Sequence, residues 1–262
     1  MHDSPRDAIR PRVSVALITR NEGHNIRDCL RSVAWADEII VVDQASTDGT
    51  ADLAREAGAR VIEAPDWHGF GHQKNIAVDA CTGDWILSVD ADERIPASLA
   101  REIRTAVATA TVAAFEIPRS SSFCGRFMKH GGWADDRVLR LFRRGSGRFS
   151  PDRVHERLLV EGAVGRLATP MLHYSVRALE DALDKVNRYS TEGALMLAQR
   201  GARPSLLGAL AHGFASFVRT YIVRRGFLDG GHGLMLAIAN AEGSYYRYVK
   251  AMLASREQRD TE

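Results

Sequence analysis

Five runs rich in aliphatic and β-branched residues mark the first 118 positions: VSVALIT (13–19), EIIVVD (38–43), ARVIEA (59–64), DWILSVD (84–90) and VAAFEIP (112–118). Runs such as IIVV are continuously apolar rather than alternating, as in strands covered by helices on both faces. Helical spacing fills the gaps between them. Ile26, Cys29, Leu30 and Val33 fall at i, i+3, i+4 and i+7, and Leu99, Ile103 and Val107 repeat at intervals of four, each set lining one helix face. Strands alternating with helices predict an α/β domain, doubly wound around a mostly parallel sheet. Ligands of such domains gather beyond the carboxyl ends of the strands. That rule places Thr19–Glu22, Asp43–Asp48 and Asp90–Glu93 along one rim.

From 119 to 176 the pattern is less regular, with Gly-rich turns and short strands such as VLRLF (138–142). From 177 onward it is helical. Leu179, Leu183 and Val186 open one helix, Pro204 starts a second, and Gly230–Gly233 precede a third. The expected organisation is a loose tail (1–11), an α/β half (12–118), a second half of the same domain (119–176) and a helical C-terminal extension (177–262). MHDSPRDAIRP lacks the apolar core of a signal peptide, and no run reaches the 18 or so apolar residues of a spanning helix.

The 262 residues, 45% hydrophobic and 26% charged with a net charge of +2, suit a soluble globular protein. Cys29, Cys81 and Cys124 have no metal-ligand spacing and read as reduced thiols of a cytoplasmic protein. The distribution of charge says more than its sum. Arg119 to Arg148 holds eight Lys or Arg against Asp135 and Asp136 alone, and Leu197 to Leu228 holds five arginines and no acid. The second run carries PSLLGALAHGFASFVRTYIVRRGF, which reads either as a helix at an anionic membrane surface or as a buried helix with basic ends.

Candidate chemistry sits at the strand ends. On an extended chain Asp90 and Asp92 project to one side, where a divalent cation, Mg²⁺ or Mn²⁺, would relieve their repulsion. Acids at the start of a helix opened by Pro96 are the alternative. Asp43 can accept hydrogen bonds from a base or ribose. Ser46, Asp48 and Gly49 suit a turn, and Thr50 a helix cap. In TRNEGHN, Arg20 and Glu22 are candidates for ligand contact and Asn25 for an N-cap. Lys74, in a glycine-containing segment at a helix start, can meet a phosphate. Neither the dinucleotide fingerprint nor a P-loop is present.

TRNE, VVDQASTDGT and GHQKNIAVDACTGDWILSVDADE, in this order, resemble the signatures of family-2 glycosyltransferases. The resemblance implies the GT-A nucleotide-binding fold and an inverting transfer from a nucleotide sugar. GGWADDRVLRLFRR, VHERL, MLHYS, KVNRYSTEGA and RRGFLDGGHG further resemble the bacterial branch that builds the inner core of lipopolysaccharide, core β-1,4-glucosyltransferases included. By this likeness Asp90-Ala91-Asp92 is the D-x-D motif, with Asp90 at the ribose or metal shell and Asp92 on the metal. Asp43, Thr19 and Glu22 line the nucleotide pocket, with Lys74 a further candidate there.

Inversion also needs a base for the acceptor hydroxyl. The Glu-Asp pair common in the family is absent downstream of D-x-D. Glu156 in VHE is the first candidate and Asp135 the second; an ion pair of Glu156 with Arg153 or Arg157 is the plainer reading. His155 and His173 are candidates to complete a metal shell, and Trp67 and Trp133 to stack on sugars. The implied partners are UDP-glucose, a lipid-linked oligosaccharide acceptor and the inner-membrane surface, with no nucleic acid. The rivals are another lipid-linked or protein acceptor and an inactive nucleotide- and membrane-binding scaffold.

Overall fold

The computed structural model describes residues 10–134, 136–151, 156–202 and 204–260, the last five of these by backbone alone. The chain divides into two units: Met1–Arg119 with Arg137–His173, and Ser120–Asp136 with Tyr174–Glu262.

The first unit opens with β1 (Val13–Thr19), α1 (Gly23–Val33), β2 (Glu38–Asp43), α2 (Thr50–Glu56), β3 (Arg60–Glu63), α3 (Phe70–Ala80), β4 (Trp85–Ser88), β5 (Glu93–Arg94) and α4 (Ala97–Thr109). The strands β6 (Ala114–Phe123) and β7 (Arg126–Phe127) precede β8 (Arg137–Arg143), β9 (Gly147–Phe149), β10 (Leu158–Val160), β11 (Val164–Arg166) and β12 (Met171–Val176). β3, β2, β1 and β4 are parallel neighbours in that order. Register brings Thr19 level with Asp43 and Ala16 level with Ser88, so these strands deliver their loops to one edge. Beyond β4 the direction reverses, and β8 runs antiparallel to both β4 and β6.

Both sheet faces are covered, which explains the unbroken apolar runs. Val13, Val15, Leu17, Trp85 and Leu87 pack with Ile26, Leu30 and Val33 of α1 and with Leu99 and Ile103 of α4. The intervening Ala16, Ile40, Val42 and Ile86 face the other way, onto Ala77 and Val78 of α3, Cys81 just after it, and Phe142. Phe142 is fully buried, and truncating such a ring to alanine costs ~3–5 kcal/mol.

The second unit holds β7, paired with the end of β6, and the helices α5 (Leu179–Gln199), α6 (Leu206–Val218) and α7 (Gly230–Asp260). Here α7 packs against α5 and α6. In α5 the buried residues are the small Ala182, Ser190 and Ala194, while Leu179 and Leu183 stay half-exposed. Small residues let the backbones of packed helices approach closely. Ser205 caps α6, its hydroxyl accepting the Gly208 N–H at 3.1 Å. One π turn, Arg219–Val223, prolongs α6. Leu206–Val223 then forms an 18-residue window of mean hydropathy 1.3, only 17% of it buried. By length and composition that window is long and apolar enough to cross a membrane, which corrects the sequence reading. Gly208, His212, Ser216 and Arg219 interrupt the apolar run and hid it.

Candidate active site

Two strand-end loops are tied to each other. Asn21 takes a left-handed backbone (φ 55°), which asparagine tolerates better than most residues. Its N–H donates to Ser46 Oγ at 2.8 Å, and its Oδ1 accepts the Thr47 N–H at 2.9 Å. The Glu22 N–H donates to Thr50 Oγ1 and the Gly23 N–H to Asp48 Oδ2, both at 2.8 Å. The bond from the Thr50 hydroxyl, then that from Gly23, holds the Asp48 carboxyl below its ordinary range. Thr50 therefore opens α2 after Gly49 (φ 82°) and joins the loops rather than capping the helix. Asn25 is not the N-cap either. Glu22 occupies that position, and Asn25 donates its amide to Glu22 Oε2 at 2.7 Å.

Asp43 is buried at this junction. It accepts from the Thr19 hydroxyl (3.0 Å), the Ser46 N–H (2.9 Å) and the Ser46 hydroxyl (2.6 Å). These bonds fix the carboxylate at the strand end. Thr19 and Asp43 thus meet directly, the Glu22 side chain holds Asn25, and Arg20 is exposed.

The expectation that Asp90 and Asp92 converge does not hold. The Glu93 N–H donates to the Asp90 carbonyl at 2.9 Å, closing a turn at Ala91–Asp92 where an extended chain was assumed. Asp90 faces cations of the protein itself. Lys74 Nζ lies 3.1 Å from its Oδ1, and Arg140 bonds its Oδ2. Arg140 also lies 2.9 Å from Glu93 Oε1, and Lys74 lies 3.0 Å from Glu156 Oε1. Arg119 approaches Glu93 at 3.6 Å. The Glu93, Lys74 and Arg140 side chains are 0%, 8% and 8% exposed, and buried charge persists only when paired in this way. Burial opposes ionisation of Asp90, but the charges of Arg140 and Lys74 outweigh it and hold the carboxyl far below its usual range.

Asp92 turns instead to His173, with Oδ2 3.2 Å from Nε2. The antiparallel pairing of β5 with β12 sets His173 opposite Glu93, one residue from Asp92.

Lys74 is the fifth residue of α3, buried between two carboxylates, and so does not present a phosphate site at the helix start. Glu156 is drawn to it by a close backbone approach. A Cβ on Gly71 would stand 2.0 Å from the Ser150 carbonyl oxygen and 3.5 Å from Glu156 Cβ. Asn75 secures the contact through its amide, donating to the Phe149 carbonyl and accepting the Phe149 N–H, both at 2.9 Å.

Asp135 and His155 lie outside the described residues. Trp67 is half-exposed, edge-on to Phe70, and Trp133 meets Phe123 in the second unit. Sequence reasoning missed Arg140 and the pairing role of Glu93. An arginine between Leu139 and Leu141 in a strand was the available signal, because a buried cation requires a carboxylate partner. Among the described residues no three His, Cys, Asp or Glu side chains cluster as a metal site. Asp92 with His173 still offers an oxygen and an imidazole nitrogen side by side. That donor pair fits Mg²⁺ or Mn²⁺ whose remaining ligands are substrate phosphates and water.

The profile described as Glycosyl transferase family 2 matches residues 14–157. The chain belongs to this family. It is 31% identical to the lipopolysaccharide core biosynthesis glycosyltransferase LpsC of Rhizobium meliloti, over 90% of this chain and 93% of that protein. It is 29% identical to an uncharacterized glycosyltransferase of Rickettsia typhi, over 95% of this chain and 89% of that protein. Among solved structures, glucosyl-3-phosphoglycerate synthase from Mycobacterium tuberculosis, in complex with Mn²⁺, UDP and glucosyl-3-phosphoglycerate, is 26% identical. The likeness covers 44% of this chain and 45% of that one, with a TM-score of 0.36. Family membership agrees with the mixed α/β architecture and makes the protein a glycosyltransferase by family.

Proposed function

We propose that the protein is an inverting, metal-dependent transferase that moves glucose from UDP-glucose to a lipid-linked oligosaccharide of the lipopolysaccharide inner core. The observation that carries this reading is the contact of Asp92 with His173, two residues after Asp90, which shares Lys74 with Glu156. One half-buried donor pair suits a cation, and one carboxylate is held in position for a proton. The relationship to LpsC supports the acceptor class.

Thr19, Glu22 and Asp43 bind the nucleoside, and Asp90 orients the ribose side of the donor. Mg²⁺ or Mn²⁺ held by Asp92 and His173 supplies, when bound, Lewis-acid stabilisation of the charge on the departing diphosphate. Glu156 takes the proton of the acceptor hydroxyl as that oxygen bonds to the anomeric carbon and the carbon–diphosphate bond breaks. Lys74, 3.0 Å from Glu156, positions that carboxylate. Asp135 is the second candidate for the base. The protein works on the cytoplasmic side, at the inner face of the membrane, with Leu207 and Phe214 of α6 exposed toward lipid.

The test is transfer from UDP-glucose to a truncated core glycolipid, followed by mass spectrometry, with the product anomer read by NMR. A β-linked glucosyl product is expected. A product only with another nucleotide sugar would replace the donor, and UDP binding without transfer to any core acceptor would contradict the proposed reaction.

A further inference from the structure

The second unit contains a cleft of about 620 Å³, a size typical of small-molecule sites. Lys185, Arg219, Arg224 and Arg247 line it together with the rings of Trp133 and Tyr189, and among the described residues no acid contributes to its wall. The cations come from different elements: Lys185 from α5, Arg219 and Arg224 from the π turn and the residue after it, and Arg247 from α7. The fold, not a sequence run, brings them together.

Among the described residues none of the four is ion-paired. Lys185 donates to the Ser175 carbonyl and, at 3.2 Å, to the Ser175 hydroxyl. Two glycines give the arginines room. A Cβ on Gly132, whose φ is 94°, would stand 2.4 Å from Arg224 Nη1, and one on Gly193 would stand 2.6 Å from Arg247 Nε. Elsewhere even exposed arginines find carboxylates, as Arg27 does with Glu56 and Arg148 with Asp79. Lys185 feels the charge of Asp181 one turn earlier on α5, whereas like charges gathered as the three arginines are repel one another, and an anion removes that repulsion. Guanidinium forks match the oxygens of a phosphate, and tryptophan and tyrosine rings offer flat apolar faces with a polar edge to a sugar. The helix that gives His212 and Ser216 to the cleft turns Leu207, Leu210 and Phe214 to solvent, at 78%, 53% and 72% exposure.

We propose that this cleft is a phosphate-binding site for the phosphorylated sugar head of an anionic glycolipid, whose acyl chains meet the apolar face of α6. The sugar is taken from the transfer reaction proposed above and rests on that reading. The phosphate site stands without it.

The test uses the full chain and flotation with three vesicle types: phosphatidylcholine alone, the same doped with phosphatidic acid, and the same doped to equal charge with lipid A, a phosphorylated disaccharide lipid. Calorimetry with glucose 1-phosphate supplies the soluble arm. The double variant Arg219→Gln/Arg247→Gln is compared with Arg101→Gln/Arg200→Gln, which removes equal charge outside the cleft wall. Lipid A vesicles are expected to bind most tightly. The cleft pair should weaken that binding about a hundredfold more than the control pair, as the loss of two charge-assisted hydrogen bonds implies.

Equal losses from the two pairs, or no preference for lipid A over phosphatidic acid, would reduce the cleft to diffuse surface charge and overturn the proposal. Glucose 1-phosphate binding as tightly as lipid A would overturn the lipid source. UDP affinity of the cleft variant should match the native value, which reports an intact fold. Native protein that binds lipid A vesicles but not UDP would contradict the donor reading and leave the cleft assignment standing.

Discussion

The two units treat positive charge in opposite ways. In the first, Lys74 and Arg140 are buried and each joins two carboxylates: Asp90 and Glu156 for the lysine, Asp90 and Glu93 for the arginine. In the second, Lys185, Arg219, Arg224 and Arg247 share a cleft wall that has no acid among the described residues. Paired cations fix the positions of acids, which is what the proposed roles of Glu156 and Asp90 require. Cations without acids are addressed to an anion that the chain does not supply.

The largest effects should come from breaking the paired arrangement. With Glu156→Gln, kcat for transfer from UDP-glucose should fall ~10²–10⁴-fold while UDP affinity stays at the native value. A rate near native would remove Glu156 as the base. Arg140→Met leaves Asp90 and Glu93 short of a partner in a buried setting. It should cost ~3–5 kcal/mol in urea unfolding, and a midpoint equal to native would show that the pairing contributes little. Gly71→Ala forces the Ser150 carbonyl away from α3 and should cost ~1–3 kcal/mol by the same measurement, with Glu156 drawn off Lys74 and turnover lowered.

The depressed Asp90 carboxyl predicts a pH dependence with a definite sign. Its contribution is complete above the unfolded value, about 4, and declines as pH falls below that value toward the lower folded one. Asp90→Asn should therefore flatten the acid limb of stability against pH below about 4, and an unchanged limb would contradict the pairing. The smallest effect belongs to Arg27→Ala. Its ion pair with Glu56 has both ends more than half exposed, so the change should cost at most ~1 kcal/mol.

Legibility in the sequence followed the range of the interactions concerned. VSVALIT and EIIVVD coincide residue for residue with β1 and β2, because strands covered on both faces carry their signal locally. Ile26, Cys29, Leu30 and Val33 are all buried in α1 for the same reason. The turn after Asp90 was not legible in this way. It depends on β5 pairing with β12, which lies about 80 residues further along the chain, and local spacing suggested an extended chain. Arg140 looked like one member of a basic run, since only the placement of β8 beside β4 buries it. The cleft was equally hidden. Its cations are spread from 185 to 247 and meet only once α5 and α7 pack together.

The most direct test of the donor site is calorimetry of UDP binding with Mn²⁺ and then with EDTA, on the native protein and on Asp92→Ala. Binding that needs the metal and vanishes in the variant is the predicted result. Binding that is indifferent to both EDTA and Asp92 would contradict a diphosphate–metal site at Asp92 and His173.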